Sequence, residues 1–177
     1  MDKPQSNLDF RFMSLGFRFR DIFLPRKNIL EEAGIEPGFH ILDYGCGPGS
    51  YSAVAAQLVG ESGKVFALDI HPLAVQQVQK IAGKKRLTNI KTILSDCATG
   101  LPDKSIDVVL LYDTLHDLSK PDEVLAELHR VLKPNGILSF NDHHLKEENE
   151  IITRITGKGL FRLSRKGKSV YNFQKVH

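Results

Sequence analysis

Short apolar runs and amphipathic stretches alternate along most of this chain. Phe39–Tyr44, Lys64–Asp69, Ile90–Leu94, Ile106–Tyr112 and Gly136–Asn141 are rich in Val, Ile, Leu and Phe and are bounded by Gly, Pro or polar residues, which predicts buried strands. Between them, Tyr51–Val59, a segment opening at Pro72, Pro121–Leu132 and a segment from about Lys146 to Thr156 carry apolar residues at helical spacing. Pro72 and Pro121 stand where a first-turn proline is favoured, because its missing N–H would be unpaired there anyway. Strand–helix alternation of this kind predicts an α/β domain with a doubly wound, mostly parallel sheet. Two features frame it. Phe10–Gly34 reads as helical with an interruption at Pro25, a lid or cap over residues 1–36 ahead of a core at 37–177. At the other end, Leu160–Arg165 and Ser169–Val176 read as a hairpin turning through Lys166-Gly167-Lys168.

Composition narrows the class. The 177 residues suit one domain able to bury a core without disulfides or metals, and 41% hydrophobic with 25% charged content is ordinary for a globular protein. No run approaches the length of a membrane span, and Met1–Asp9 lacks the apolar stretch of a signal peptide. Two cysteines, Cys46 and Cys97, are then expected as reduced thiols in a cytoplasmic protein. The net charge is only +3, yet from Ile151 onward there is no acidic residue, while Arg154, Lys158, Arg162, Arg165, Lys166, Lys168 and Lys175 are basic. Such a segment either attracts phosphates or is the solvated face of a terminal hairpin, and since no aromatic interleaving in it suggests base stacking the second is favoured.

The chemistry begins at Asp43. After the first strand come Tyr44-Gly45-Cys46-Gly47-Pro48-Gly49-Ser50-Tyr51 and then a helix. Glycines at a strand-to-helix turn let the backbone bend sharply and let a ligand touch the main chain. A dinucleotide loop would have G-x-G-x-x-G; here Ser50 occupies the third glycine's position and Pro48 stiffens the loop, which sets an NAD-dependent oxidoreductase aside. The acid before the loop suits a ligand with a cationic end. The segment resembles motif I of the class I S-adenosylmethionine-dependent methyltransferases, typified by V-L-D-x-G-C-G-P-G.

Further blocks extend that resemblance, mostly to the small-molecule, quinone C-methyltransferase-like branch. Strand two ends in Asp69-Ile70, 24 positions after Gly45, where a carboxylate can accept from both ribose hydroxyls and Ile70 can pack on adenine. Strand three ends in Ser95-Asp96-Cys97, matching the family position that meets the adenine amino group and ring. Leu101–Val109 is similar to L-P-F-x-D-x-S-F-D-x-V, and Leu128–Gly136 to L-x-R-V-L-K-P-G-G with Asn135 for a glycine. Asn tolerates a left-handed backbone, so a turn at that point is expected to survive. The resemblance implies a Rossmann-like methyltransferase fold of seven strands with an antiparallel C-terminal hairpin. It implies S-adenosyl-L-methionine as cofactor and S-adenosyl-L-homocysteine as product. The residues implied to bind it are Asp43, Tyr44, Gly45, Cys46, Gly47, Gly49, Tyr51, Asp69, Ile70, Asp96, Cys97 and Tyr112.

The acceptor side is less determined. After strand four stands Tyr112-Asp113-Thr114-Leu115-His116-Asp117, and after strand five Asn141-Asp142-His143-His144. His116 and Asp113 are the preferred catalytic candidates, since a base is needed when the acceptor arrives protonated. Other readings stay open: His143 or His144 as the base, a divalent metal held by Asp113, Asn141, Asp142 and a histidine, or a polar loop with no chemistry. No metal is assigned. The first segment lacks the [D/N]-P-P-[Y/F/W] pattern of DNA amino-group methyltransferases. Phe10, Phe12, Phe17, Phe19 and Phe23 either line an acceptor pocket or form a core-facing stripe. The expected acceptor is a small molecule. An RNA acceptor using the basic hairpin and a non-catalytic S-adenosylmethionine-binding subunit are the alternatives.

Overall fold

The computed structural model describes Ser6, residues 26–145 and residues 147–176. The phenylalanines at 10–23 and most of the expected lid lie outside the described residues. The described chain begins with helix α1 (Arg26–Glu32), then β1 (His40–Tyr44), α2 (Ser50–Val59), β2 (Lys64–Asp69), α3 (Pro72–Lys85), β3 (Ile90–Leu94) and β4 (Ile106–Tyr112). A short 3-10 turn at Leu115–Asp117 leads to α4 (Pro121–Val131), β5 (Leu132–Asn141), α5 (Glu148–Thr156), β6 (Phe161–Lys166) and β7 (Tyr171–Lys175).

The seven strands form one sheet in the order β3-β2-β1-β4-β5-β7-β6. β1 to β5 are parallel, and β7 inserts antiparallel between β5 and β6. The strand order reverses between β1 and β4, so the crevice past their carboxyl ends is where an open α/β sheet receives a ligand.

Both faces are covered. Along β4, Val108 and Leu110 join a cluster with Leu30, Ile41, Ala55, Ala56 and Val59, while Val109 and Leu111 join Leu125, Leu128, Ile151 and Ile155 on the other face. Side chains alternate across a strand, so a strand sandwiched between two helical layers must be apolar throughout, which is why these runs are continuous in the sequence.

One sequence expectation is corrected. Lys133–Gly136 is not a left-handed turn; Asn135 is absent from the residues with positive φ, and the segment belongs to β5. Pro134 locks an extended φ. The irregularity appears as a bulge: Ile106 pairs with Leu132, then Val108 pairs with Ile137. Gly136 is needed because the bulge folds back on itself, and a Cβ there would lie 2.7 Å from Leu132 Cδ2. Lys133 Nζ reaches Asp107 Oδ1 at 2.7 Å, and Asp107 Oδ2 accepts from the His40 N–H at 2.8 Å, which ties the bulge to β1.

Candidate functional site

The loop after β1 is held open from beneath. The Gly45 and Cys46 N–H groups both donate to Leu68 O at 2.9 Å, and all three glycines have positive φ, at 76°, 50° and 84° for Gly45, Gly47 and Gly49. Two of them are also spatially obligatory. A Cβ on Gly45 would lie 2.4 Å from Thr114 Oγ1, and one on Gly49 would lie 2.7 Å from Val78 Cγ2. A Cβ on Gly47 would meet nothing within 4 Å, so this glycine borders open space.

Two buried carboxylates face this loop. Asp69 accepts from the Gly47 N–H at 2.8 Å through Oδ2 and from the His71 N–H at 2.7 Å through Oδ1. Each oxygen keeps a second lone pair, enough to receive two ligand hydroxyls. Asp43 is 3% exposed and accepts from Ser52 Oγ at 2.5 Å. Burial, with a further push from the Asp69 charge, raises its carboxyl from 3.8 to about 6 despite the Ser52 hydrogen bond. Burial also raises Asp69, while its backbone N–H donors pull the other way.

The remaining predicted binding residues divide between the crevice and the core. Ile70, Asp96 and Cys97 are half-buried past the ends of β2 and β3. Tyr44 Oη donates to Asp96 O at 3.2 Å, bridging the first loop to the third. The Cys46 thiol is buried beside both carboxylates, and burial pushes it up. Tyr112 is committed to the core: its hydroxyl pairs with Ser139 Oγ at 2.8 Å, burial raises it, and its ring meets that of Tyr51 edge-on at 4.8 Å. Arg26 donates to Tyr51 Oη at 2.5 Å and stacks its guanidinium 4.4 Å over the Tyr51 ring.

Past β4 and β5 lies a polar cluster whose pairing crosses between loops. Asp113, at φ 49°, turns its carboxylate toward the other loop, where Oδ1 accepts from the His143 N–H at 3.1 Å and lies 2.5 Å from His143 Nδ1. His116 is paired instead with Asp142, Nδ1 to Oδ2 at 2.9 Å. The sequence brought His116 and Asp113 forward together; the structure separates them into two pairs, and Asp142 is the partner that sequence reasoning did not assign. The rings of His116, His144 and His143 follow one another with centroids 4.0 Å apart, tilted by 37° and 42°. Among the described residues no group of three or more His, Cys, Asp or Glu is arranged to hold a metal ion. Both carboxylates are instead taken up by imidazoles.

The sequence profile of a family described as a methyltransferase domain matches residues 35–172. The chain is 28% identical over 139 residues to the ubiquinone/menaquinone biosynthesis C-methyltransferase UbiE of Pseudoalteromonas translucida, covering 73% of this chain and 52% of that protein. With UbiE of Hydrogenovibrio crunogenus it shares 33% identity over 120 residues, 64% of this chain and 45% of that one. The chain thus spans about half the length of the curated relatives it matches. Among solved structures, a SAM-dependent methyltransferase from Aquifex aeolicus superposes with a TM-score of 0.77 at 28% identity, over 88% of this chain and 91% of the other.

Proposed function

The chain belongs to the methyltransferase domain family, and from that premise we propose that it binds S-adenosylmethionine at the Gly45–Gly49 loop and methylates a small-molecule acceptor, releasing S-adenosylhomocysteine. The carrying observation is the pair of buried carboxylates, Asp43 and Asp69, beside a loop that is open at Gly47. The residues fit such a ligand: Asp69 has lone pairs for a ribose diol, and Asp43 is a buried negative charge suited to an amino-acid ammonium. Ile70, Asp96 and Cys97 would border the adenine, and Tyr44 holds that loop in place through Asp96 O.

When bound, the cofactor supplies an electrophilic methyl on a sulfonium. What the protein adds is placement of the acceptor in line with it, which lowers the barrier by pre-paid orientation. His116, and on the sequence reading Asp113, stand on the acceptor side past β4. The names of the relatives make a quinol the first acceptor to assay. The RNA alternative is disfavoured by the hairpin's own pairing. Arg165 donates to Glu32 O, Lys166 pairs with Glu148, Arg162 donates to Gln174, and Lys175 donates to His129 O and Leu132 O. A cytoplasmic location belongs to this same reading; among the described residues no helix is long and apolar enough to cross a membrane.

Calorimetric titration with S-adenosylhomocysteine tests the reading. Binding near −8 kcal/mol, roughly micromolar, is expected. Asp69→Ala removes hydrogen bonds to a charged acceptor, each worth about 1.5–3 kcal/mol, so affinity should fall by roughly 10-fold to 100-fold or more. Absence of binding by the wild-type protein would refute the cofactor assignment.

A further inference from the structure

Of the two histidine–carboxylate pairs past β4 and β5, one has the surroundings of a proton acceptor. The Asp142 side chain is fully buried. Its Oδ2 accepts from the His116 N–H at 3.3 Å and lies 2.9 Å from His116 Nδ1, and its Oδ1 accepts from the His144 N–H at 3.1 Å. An ionised carboxylate has no proton to give, so the ring nitrogen facing it carries one. In the neutral imidazole that leaves the lone pair on Nε2, pointing away from Asp142. The groups facing this ring are Asp142 at Nδ1, Asp117 with Oδ2 3.4 Å from Nε2, and the His144 ring, which lies in turn beside that of His143. Asp117 is 64% exposed and free to yield to an incoming group. The other pair differs: the His143 side chain is 55% exposed, and Asp113 binds both its backbone and its ring through one oxygen, clamping the two loops together.

The dyad is also tied to the cofactor loop. Thr114, two residues before His116, packs against Gly45 and donates from Oγ1 to Tyr44 O at 3.4 Å and Tyr112 O at 2.9 Å. The turn carrying His116 is therefore fastened to the main chain on which the methyl donor would lie.

We propose that Asp142 is the positioning residue that holds His116 as its Nδ1–H tautomer, and that His116 Nε2 takes a proton from an acceptor bearing an acidic hydroxyl, a phenol or hydroquinone. The inference rests on the methyl-transfer reading and narrows it: a thioether or tertiary amine, with a lone pair and no proton to lose, needs no such base. In the step, the acceptor O–H bond breaks and its proton passes to Nε2. The electron pair left on oxygen, or delocalised onto a conjugated ring carbon, forms the bond to the methyl, and the pair of the broken C–S bond stays on sulfur. Where carbon attacks, its own hydrogen then leaves as a proton to water while the oxygen takes one proton back from solvent, so the ring regains aromaticity, the hydroxyl is restored and one proton is released overall. The imidazolium then returns its proton to solvent past exposed Asp117.

The full chain labelled with 15N-histidine reports the tautomer directly through two-bond 1H–15N correlations at a pH where the ring is neutral, with His116→Gln giving the assignment. The expected spectrum shows a protonated Nδ1 and a bare Nε2 at His116, with Asp142→Ala shifting the population toward Nε2–H. Turnover of 1,4-naphthohydroquinone with S-adenosylmethionine should fall about 100-fold or more in kcat for His116→Gln. Asp142→Ala should lower kcat and displace the ionisation seen in its pH profile. Both variants should keep their affinity for S-adenosylhomocysteine within about 2-fold of the wild type, the level expected for residues that leave binding untouched. An Nε2–H tautomer in the wild-type protein, which needs no variant to fold, overturns the proposal. So does His116→Gln turning over at the wild-type rate, or methylation of dimethyl sulfide with the hydroquinone left untouched. Failure of the wild-type protein to bind S-adenosylhomocysteine would strike the underlying methyl-transfer reading instead, so the two failures are distinct.

Discussion

Replacing Asp43 by Asn should stabilise the free protein while weakening its hold on the cofactor. Asp43 carries a buried charge that burial and the neighbouring Asp69 make costly, raising its carboxyl from 3.8 to about 6. At about 1.4 kcal/mol per pH unit, that gap amounts to a destabilisation of about 3 kcal/mol once the group is ionised in both folded and unfolded chains. The sign follows from proton binding. Between about 4 and 6 the folded state binds more protons than the unfolded one, so stability falls as pH rises through that window and is level above it. Linkage puts the penalty at about 2 kcal/mol at pH 5 and about 3 kcal/mol at pH 7.5. Asn keeps an oxygen for the Ser52 hydroxyl, now 2.5 Å from Asp43 Oδ2, and removes the charge. Its new amide donors offset part of the gain, which leaves an expected stabilisation of about 1–3 kcal/mol at pH 7.5. Urea unfolding of both proteins at pH 5 and pH 7.5 measures it through the shift in midpoint at constant slope. The decisive quantity is the change between the two pH values, on the order of 1 kcal/mol, because the amide contribution cancels. Calorimetry on the same samples should show affinity for S-adenosylhomocysteine reduced by roughly 10-fold or more, the worth of a charge-assisted contact. A stability difference that does not vary with pH, or a variant that binds the ligand as tightly as wild type, would refute the reasoning.

Other consequences are simpler to state. Gly45→Ala should cost about 2–4 kcal/mol, since it adds left-handed strain to a collision with the Thr114 hydroxyl, whereas Gly47→Ala should cost only the strain, about 1 kcal/mol, because its Cβ meets open space. Thermal unfolding separates them, at about 2–4 °C per kcal/mol for a domain of this size, and equal shifts would contradict the contact geometry. Glu127 on α4 accepts from Arg130 at 2.7 and 2.8 Å and from Thr99 at 2.6 and 2.8 Å, and the Arg130 hydrogen bonds lower its carboxyl from 4.5 to about 2. Its contribution is present above pH 4.5 and is lost as pH falls toward 2; screening at partly exposed Arg130 holds it to about 1–2 kcal/mol. Glu127→Gln should therefore flatten the acid limb of the stability profile, and an unchanged limb would show the network to be idle.

The glycine loop after β1 was legible in the sequence because its constraints are local. A positive φ at Gly45, Gly47 and Gly49 excludes most side chains, so the backbone requirement is written as residue identity within five positions. The strands of the parallel core were legible for a related reason: burial on both faces demands unbroken apolar runs, and β2, β3 and β4 have the bounds that those runs predict. The pairing of histidines with carboxylates past β4 and β5 depends on register, which no short window contains. Asp113 and His116 are neighbours in the sequence, yet each meets a residue from the loop after β5, because Tyr112 is paired with Asn141 and the two loops leave the sheet side by side. That register follows the bulge between Leu132 and Ile137, a stretch that read as a turn. A slip of one residue there would send alternate β5 side chains to opposite faces and carry Asp142 away from His116. The His116–Asp142 pair is thus a product of how β5 enters the sheet some ten residues earlier, and a deletion within Lys133–Gly136 should abolish it while leaving the glycine loop and both of its carboxylates in place.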